Sequence, residues 1–325
     1  MPDPGSNRAH LPPGNGIGSV GRTILTGLRR GLSGDRSDEG YPRAALAAHR
    51  LELAKRRTFG RADMIALEQL LANAGDVWPV GRVFDQLERP QRLAVLRHDM
   101  DRDAENAVHF AEWEAAHGWP ATYYVLHTDW YWRAPGEAAV SRFALRILER
   151  IASLGHEIGL HNNAITVGLL TGQDPVRILD RELTALRRAG FEVKGSAAHG
   201  DPICRVAGYV NDEIFLESTH RLAGESTRTI RYEDPKTHRR HEVTVRPIPM
   251  ADLDLRYEAS MVRNVHHRLS DTGGHWNVPI EGVDTRLCAE GGTLSLLVHP
   301  LWWAFGDEIV NPKTPLSVPA LRRPG

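Results

Sequence analysis

The sequence predicts an α/β protein built on a parallel sheet, open or closed into a barrel, with a β-hairpin inserted late in the chain. Three observations carry this expectation. From Leu93 onward, short apolar runs alternate with longer segments of helical spacing. The helical segments halt at glycines, Gly118, Gly155 and Gly190. The apolar runs lead into histidine or aspartate, which is where parallel α/β folds place their chemistry.

Taken in order, Leu93 to Leu96 is a strand that breaks into the polar cluster Arg97-His98-Asp99-Met100-Asp101. Asp103 then stands as an N-cap before the helix Ala104 to His117. Ala121 to Leu126 is β-branched and aromatic and suits a buried strand. Glu137 to Leu154 is expected to be helical, and His156 to His161 a short strand. A helix over Pro175 to Ala189 precedes the strand Val193 to Ala198, which runs into His199-Gly200-Asp201. Thr227 to Tyr232 and Glu242 to Pro247 flank a charged turn, giving a hairpin over 227–247. A helical segment is expected between Met261 and Leu269, and the last strand, Thr293 to Val298, ends in His299-Pro300-Leu301-Trp302-Trp303. The implied organisation is a loosely ordered extension over 1–40 with an amphipathic patch at Thr23 to Leu32, a helical lead over 41–90, the barrel over 91–310 and a tail over 311–325.

Composition narrows the function. Lys+Arg at 40 against Asp+Glu at 41 leaves no field to attract nucleic acid or an anionic membrane. Cys204 and Cys288 are too few and too far apart for a disulfide framework or a thiolate zinc site. No stretch approaches the roughly 18 apolar residues of a membrane span, and Met1 to Leu11 does not read as a secretory signal, so a cytoplasmic location is expected. Gly14, Gly16, Gly18 and Gly21 resemble a dinucleotide fingerprint but follow no strand. Sixteen histidines are the unusual feature.

Asp99, Asp101, His161, His199 and His299 all follow strands, so carboxylates and imidazoles can converge on one rim. Two carboxylates at i and i+2 on extended chain point the same way, so one can hold a metal while the other acts as a base. His156 and His161 have opposite parity on a strand, which makes His156 structural and sets aside a zinc-protease reading of His156-Glu157-Ile158-Gly159-Leu160-His161. Trp302 and Trp303 suit either core packing or stacking on a sugar face.

The segments Leu96-Arg97-His98-Asp99-Met100-Asp101, Gly155 to His161, Ala198-His199-Gly200, Ser270 to Trp276 and Leu297-Val298-His299-Pro300 resemble, in order and spacing, the polysaccharide deacetylase (NodB-homology) superfamily, in a branch opening with Arg-His-Asp-x-Asp. The resemblance implies a distorted (β/α) barrel. It also implies Asp99 as catalytic base, His299 as general acid, Asp101 and His161 as ligands of one divalent ion, zinc first among them, and Asp271 and Trp276 as residues that line and orient the site; Trp302 is expected beside the substrate from its place after the polar rim rather than from the resemblance. Where the common pattern has a second histidine after His161, this chain has Ile165, and His199 is expected to supply the missing imidazole. The implied reaction removes an acyl group, acetyl above all, from the nitrogen of a small N-acylated sugar or sugar conjugate. Hydrolysis of a non-sugar amide and non-catalytic carbohydrate binding are the alternatives. The basic turn Lys236 to His241 is either a solvated turn or a contact for an anionic substrate group.

Overall fold

The computed structural model describes residues 43–86, 88–133, 137–220 and 226–305. The extension over 1–40, its patch at Thr23 to Leu32 and the tail over 311–325 lie outside the described residues. No described helix is long and apolar enough to cross a membrane.

The core is one parallel sheet curled into a half-barrel. Its strands are β1 (Asp76–Trp78), β2 (Arg92–Met100), β3 (Thr122–Leu126), β4 (Glu157–Asn162), β5 (Gly195–Ala198), β8 (Tyr257–Glu258), β9 (His267–Ser270) and β10 (Gly292–Val298), and β6 (Arg228–Glu233) and β7 (Arg240–Val245) form a separate antiparallel hairpin. The order across the sheet is β8-β5-β4-β3-β2-β10-β9, with β1 also pairing with β2. All pairings in this sheet are parallel. β8 and β9 form its two edges and do not pair with each other among the described residues.

Alternation along β2 divides the core into two layers. Ala94, Leu96 and Met100 belong to the large cluster that includes Phe110 and Leu148 of the covering helices. Leu93 and Val95 belong to a smaller cluster with Tyr124, Ala197 and Tyr257 on the other face. The strand does not stop at Leu96, because its polar residues find partners on each face. His98 turns to the helix side, with Nε2 2.6 Å from Glu114 Oε1, and Tyr123 Oη donates to Glu114 Oε2 at 2.6 Å. Arg97 and Asp99 keep the parity of Leu93 and Val95. His156 is structural, with Nε2 donating to the Ala111 carbonyl and Nδ1 accepting from the Ala121 N–H.

Two glycines shape the smaller layer. A Cβ on Gly159 would lie 2.4 Å from the Tyr124 ring, and one on Gly195 would lie 2.0 Å from Tyr257 Cζ. The tyrosines therefore occupy the space that side chains on β4 and β5 would need. Gly195→Ala is expected to destabilise the fold by about 1–3 kcal/mol through overpacking alone, read as a lower urea midpoint at unchanged slope; an unchanged midpoint would mean that Tyr257 does not fill this space.

Several elements differ from the sequence expectation for identifiable reasons. The helix expected from Glu137 begins at Arg142, because Ser141 caps it by accepting from the Ala144 N–H. The segment expected to be helical between Met261 and Leu269 ends as β9, where buried His267 and Leu269 flank exposed Arg268 with a period of two. A helix over Ala164–Thr171, not among the expected elements, follows β4, and it buries Ile165 completely.

The lead over 41–90 supplies β1 to the sheet and reaches across to the other end of the barrel sequence. Arg57 pairs with Asp103 at 2.6 Å and donates to the Leu301 carbonyl at 2.7 Å. The N–H groups of Thr58 and Phe59 both donate to the Trp302 carbonyl, and Ala304 N–H donates to the Phe59 carbonyl. Phe59 stacks on Trp303 at 4.6 Å between ring centroids.

Candidate active site

The carboxyl ends of β2, β4 and β5 bring three side chains together. The ligand atoms of Asp101, His161 and His199 all lie within 4.8 Å of one another. His161 Nε2 lies 3.5 Å from Asp101 Oδ1 and 3.2 Å from His199 Nδ1, and His199 Nδ1 lies 3.7 Å from Asp101 Oδ1.

Each imidazole is steered by its backbone surroundings. The Nδ1 of His161 lies 2.8 Å from the Ala197 carbonyl, which can only accept, so Nδ1 carries the proton and Nε2 offers a lone pair to the cluster. Burial lowers the His161 pKa, while Asp99 and Asp101 pull the other way; the net direction favours the neutral, ligating form. His199 is held through its carbonyl, which accepts from Asn211 Nδ2 at 2.8 Å. The Asn211 amide oxygen accepts from the Ile165 N–H at 3.0 Å, so one buried side chain ties the loop after β5 to the helix after β4. Ile165 itself stays in the core, away from the cluster.

Asp99 adjoins this cluster, its Oδ2 3.5 Å from His161 Nε2. Arg97, two residues earlier on the same face, lies 3.3 Å from the same oxygen. Burial resists ionisation of Asp99, but Arg97 and then His161 outweigh it and hold the carboxyl below its ordinary pKa. The Oδ1 atoms of Asp99 and Asp101 are both buried without a hydrogen-bond partner.

On the neighbouring strand His299 is clamped by Asp271. Its Nδ1 lies 2.6 Å from Asp271 Oδ1, and its N–H donates to the same carboxylate. Trp303 Nε1 donates to Asp271 Oδ2 at 2.8 Å. Burial works against the charged imidazole, but Asp271 overcomes it and pushes the pKa up to about 9. His299 is therefore an imidazolium at neutral pH.

The expected lining residues divide. Asp271 is fully buried and its carboxylate is taken up by His299 and Trp303, so it orients the histidine and presents no oxygen to a substrate. Trp276 is half-buried, packed on Phe59 at 5.1 Å and Trp303 at 5.7 Å. Trp302 is half-buried beside Gly274, whereas Trp303 is entirely core. The basic turn of the hairpin is exposed, with Arg240 paired to Glu233 at 3.1 Å. Arg228, at the base of β6, is the hairpin residue that lines the cavity beside His199.

Sequence reasoning did not single out Arg97, Asn211 or the Arg57 to Phe59 strap. Arg97 had a signal, since it shares the parity of Asp99. Asn211 lies in a short 3-10 turn, Asn211–Ile214, and had none.

Fold and site together define a parallel α/β half-barrel with a candidate divalent-metal centre at the carboxyl ends of its strands. Comparison with models of known protein families, with curated proteins and with solved structures returns no significant match.

Proposed function

We propose that this protein is a metal-dependent amide hydrolase of the polysaccharide deacetylase type, removing an acyl group, most simply acetyl, from the nitrogen of a small sugar or sugar conjugate in the cytoplasm. The observation that supports this reading is the adjacency of two units on paired strands, Val298 standing opposite His98: the Asp101, His161 and His199 cluster beside Asp99, and an Asp271-clamped His299 that interacts electrostatically with Asp99 and Asp101.

The residues fit a divalent ion. One carboxylate and two imidazoles make a donor set suited to zinc, with the lone pair of His161 Nε2 turned to the cluster, where it meets His199 Nδ1 at 3.2 Å, and the Asp101 Oδ1 without a hydrogen-bond partner. A divalent ion held there would supply Lewis-acid polarisation of an acyl carbonyl and would lower the pKa of a water ligand. Asp99, kept ionised beside Arg97, takes the proton from the attacking water. His299, kept protonated by Asp271, delivers a proton to the departing amine. A binding module has no use for an acid and a base prepared in this way.

The test is metal content together with acetate release from a panel of N-acetyl sugars and nucleotide sugars. Zinc-loaded protein is expected to carry one ion per chain and release acetate, and chelation is expected to stop it. Asp101→Ala should lose one of three ligands and weaken zinc binding by at least about 100-fold, in line with the 10–100-fold that even outer-shell partners contribute. Acetate release that survives chelation, or full zinc binding by Asp101→Ala, overturns the assignment.

A further inference from the structure

His199 has a second neighbour besides the ligand cluster. It lines a cavity of about 510 Å³ formed with the helix Pro202–Ala207, the turn at Tyr209 and Glu213, and the base of the hairpin at Arg228. A substrate whose acyl carbonyl lies at the Asp101, His161 and His199 cluster would direct its remainder here, past the shared histidine.

The polar groups of this cavity are unbalanced in what they leave unused. Among the described residues its one carboxylate, Glu213, accepts from the Val210 N–H at 2.8 Å through Oε1 and is paired with Arg228 through Oε2. Behind it, Asp212 accepts from Ser218 at 3.0 Å, His220 at 2.7 Å and Ser260 at 3.1 Å. Both acids are buried and their oxygens are occupied. The donors are not used up in the same way. The Arg205 guanidinium is exposed and has no hydrogen bond or ion pair among the described residues. His220 donates Nδ1–H to Asp212, so on the neutral ring its Nε2 is a lone-pair acceptor and adds no donor to the cavity. Arg228 spends Nη1 on Glu213 and Nη2 on the Gly208 carbonyl, and keeps further N–H groups. What the cavity has left to offer a ligand is donors and positive charge.

We propose that this cavity is a substrate subsite for an anionic group, a carboxylate or a phosphate, held by Arg205 with Arg228. The assignment rests on the hydrolase reading for the direction in which substrate lies, but the charge preference belongs to the cavity alone. Arg205 is the residue that selects the substrate, while Arg228 also holds Glu213 in place.

The experiment is calorimetric titration of the full chain, zinc-loaded and metal-free, with three probes: N-acetylglucosamine, N-acetylglucosamine 6-phosphate and N-acetylmuramic acid. The charged probes are expected to bind at least about tenfold more tightly than the neutral one, as one charge-assisted hydrogen bond implies, and the preferred probe distinguishes phosphate from carboxylate. The preference should weaken as salt is raised. Arg205→Gln, on an exposed helix position, should remove most of it while leaving zinc content and the affinity for N-acetylglucosamine unchanged. Equal affinity for charged and neutral probes, or a preference undiminished in Arg205→Gln, overturns the proposal. If zinc fails to bind while the metal-free protein keeps the charge preference, the hydrolase reading falls and the anion subsite stands. If zinc binds and acetate is released without any charge preference, the reverse holds.

Discussion

Asp99→Asn is expected to fold, to bind zinc as tightly as the wild type, and to lose about 100- to 10,000-fold in kcat, the contribution typical of a positioned general base. Asparagine keeps the shape of the side chain and can still face Arg97, but it cannot take a proton from water. The measurement needs three readouts on one preparation: metal content, a thermal melt, and steady-state acetate release. Turnover within a few-fold of wild type would remove Asp99 from the base role. Loss of zinc in this variant would instead make Asp99 a ligand, a distinct outcome because its Oδ2 lies only 3.5 Å from His161 Nε2.

Asp271→Asn should act through His299 and change the pH profile more than the fold. In the wild type the imidazolium persists up to about pH 9, so activity should hold on the alkaline side until that region. Without the carboxylate the His299 pKa falls back toward the ordinary value of about 6.5, and at pH 8 about one molecule in thirty keeps the proton, a thirty-fold loss of turnover that shrinks at pH 6. Stability follows the same linkage. A histidine whose folded pKa is raised contributes stability that is fully present below its unfolded value, about 6.5, and is lost as pH rises through about 9. In metal-free wild type His299 should therefore account for a loss of about 3 kcal/mol between those limits, an order-of-magnitude figure from the shift, and in Asp271→Asn the fall, to which Glu258 with its pKa raised to about 8 also contributes, should be shallower by that amount. A parallel loss in both proteins would detach Asp271 from the protonation of His299.

Much of the architecture was legible because parallel strands buried on both faces read as short apolar runs, and Leu93 to Leu96, Ala121 to Leu126 and Thr293 to Val298 are such runs. The convergence of Asp101, His161 and His199 was legible for a related reason, since strand ends in a parallel sheet share one edge and each of these residues follows a strand. Elements held by tertiary partners were not legible. Among the described residues β8 is two residues long and pairs only with β5, and β1 is three residues pairing only with β2; neither carries a periodic signal. Arg97 and Asp99 lie inside a strand because each compensates the other's charge, a pairing that apolar patterning cannot register. The difference between Trp302 and Trp303 depends on which indole reaches Asp271, which is settled by packing against Phe59.

The strap from Arg57 to Phe59 also bears on how the protein comes to be active. Its hydrogen bond to the Leu301 carbonyl joins residues 244 positions apart, and it braces the short segment that carries His299 and Trp303. Contacts of such separation must repay the closure of a very long loop before they contribute, so they form late on any route to the native state. During synthesis the candidate ligands Asp101, His161 and His199 leave the ribosome well before Leu301, so under the proposed function the metal cluster can form before His299, which follows β10, is in place. The order of assembly would then be metal first and proton donor last, with catalytic competence arriving only when the two distant stretches of chain meet.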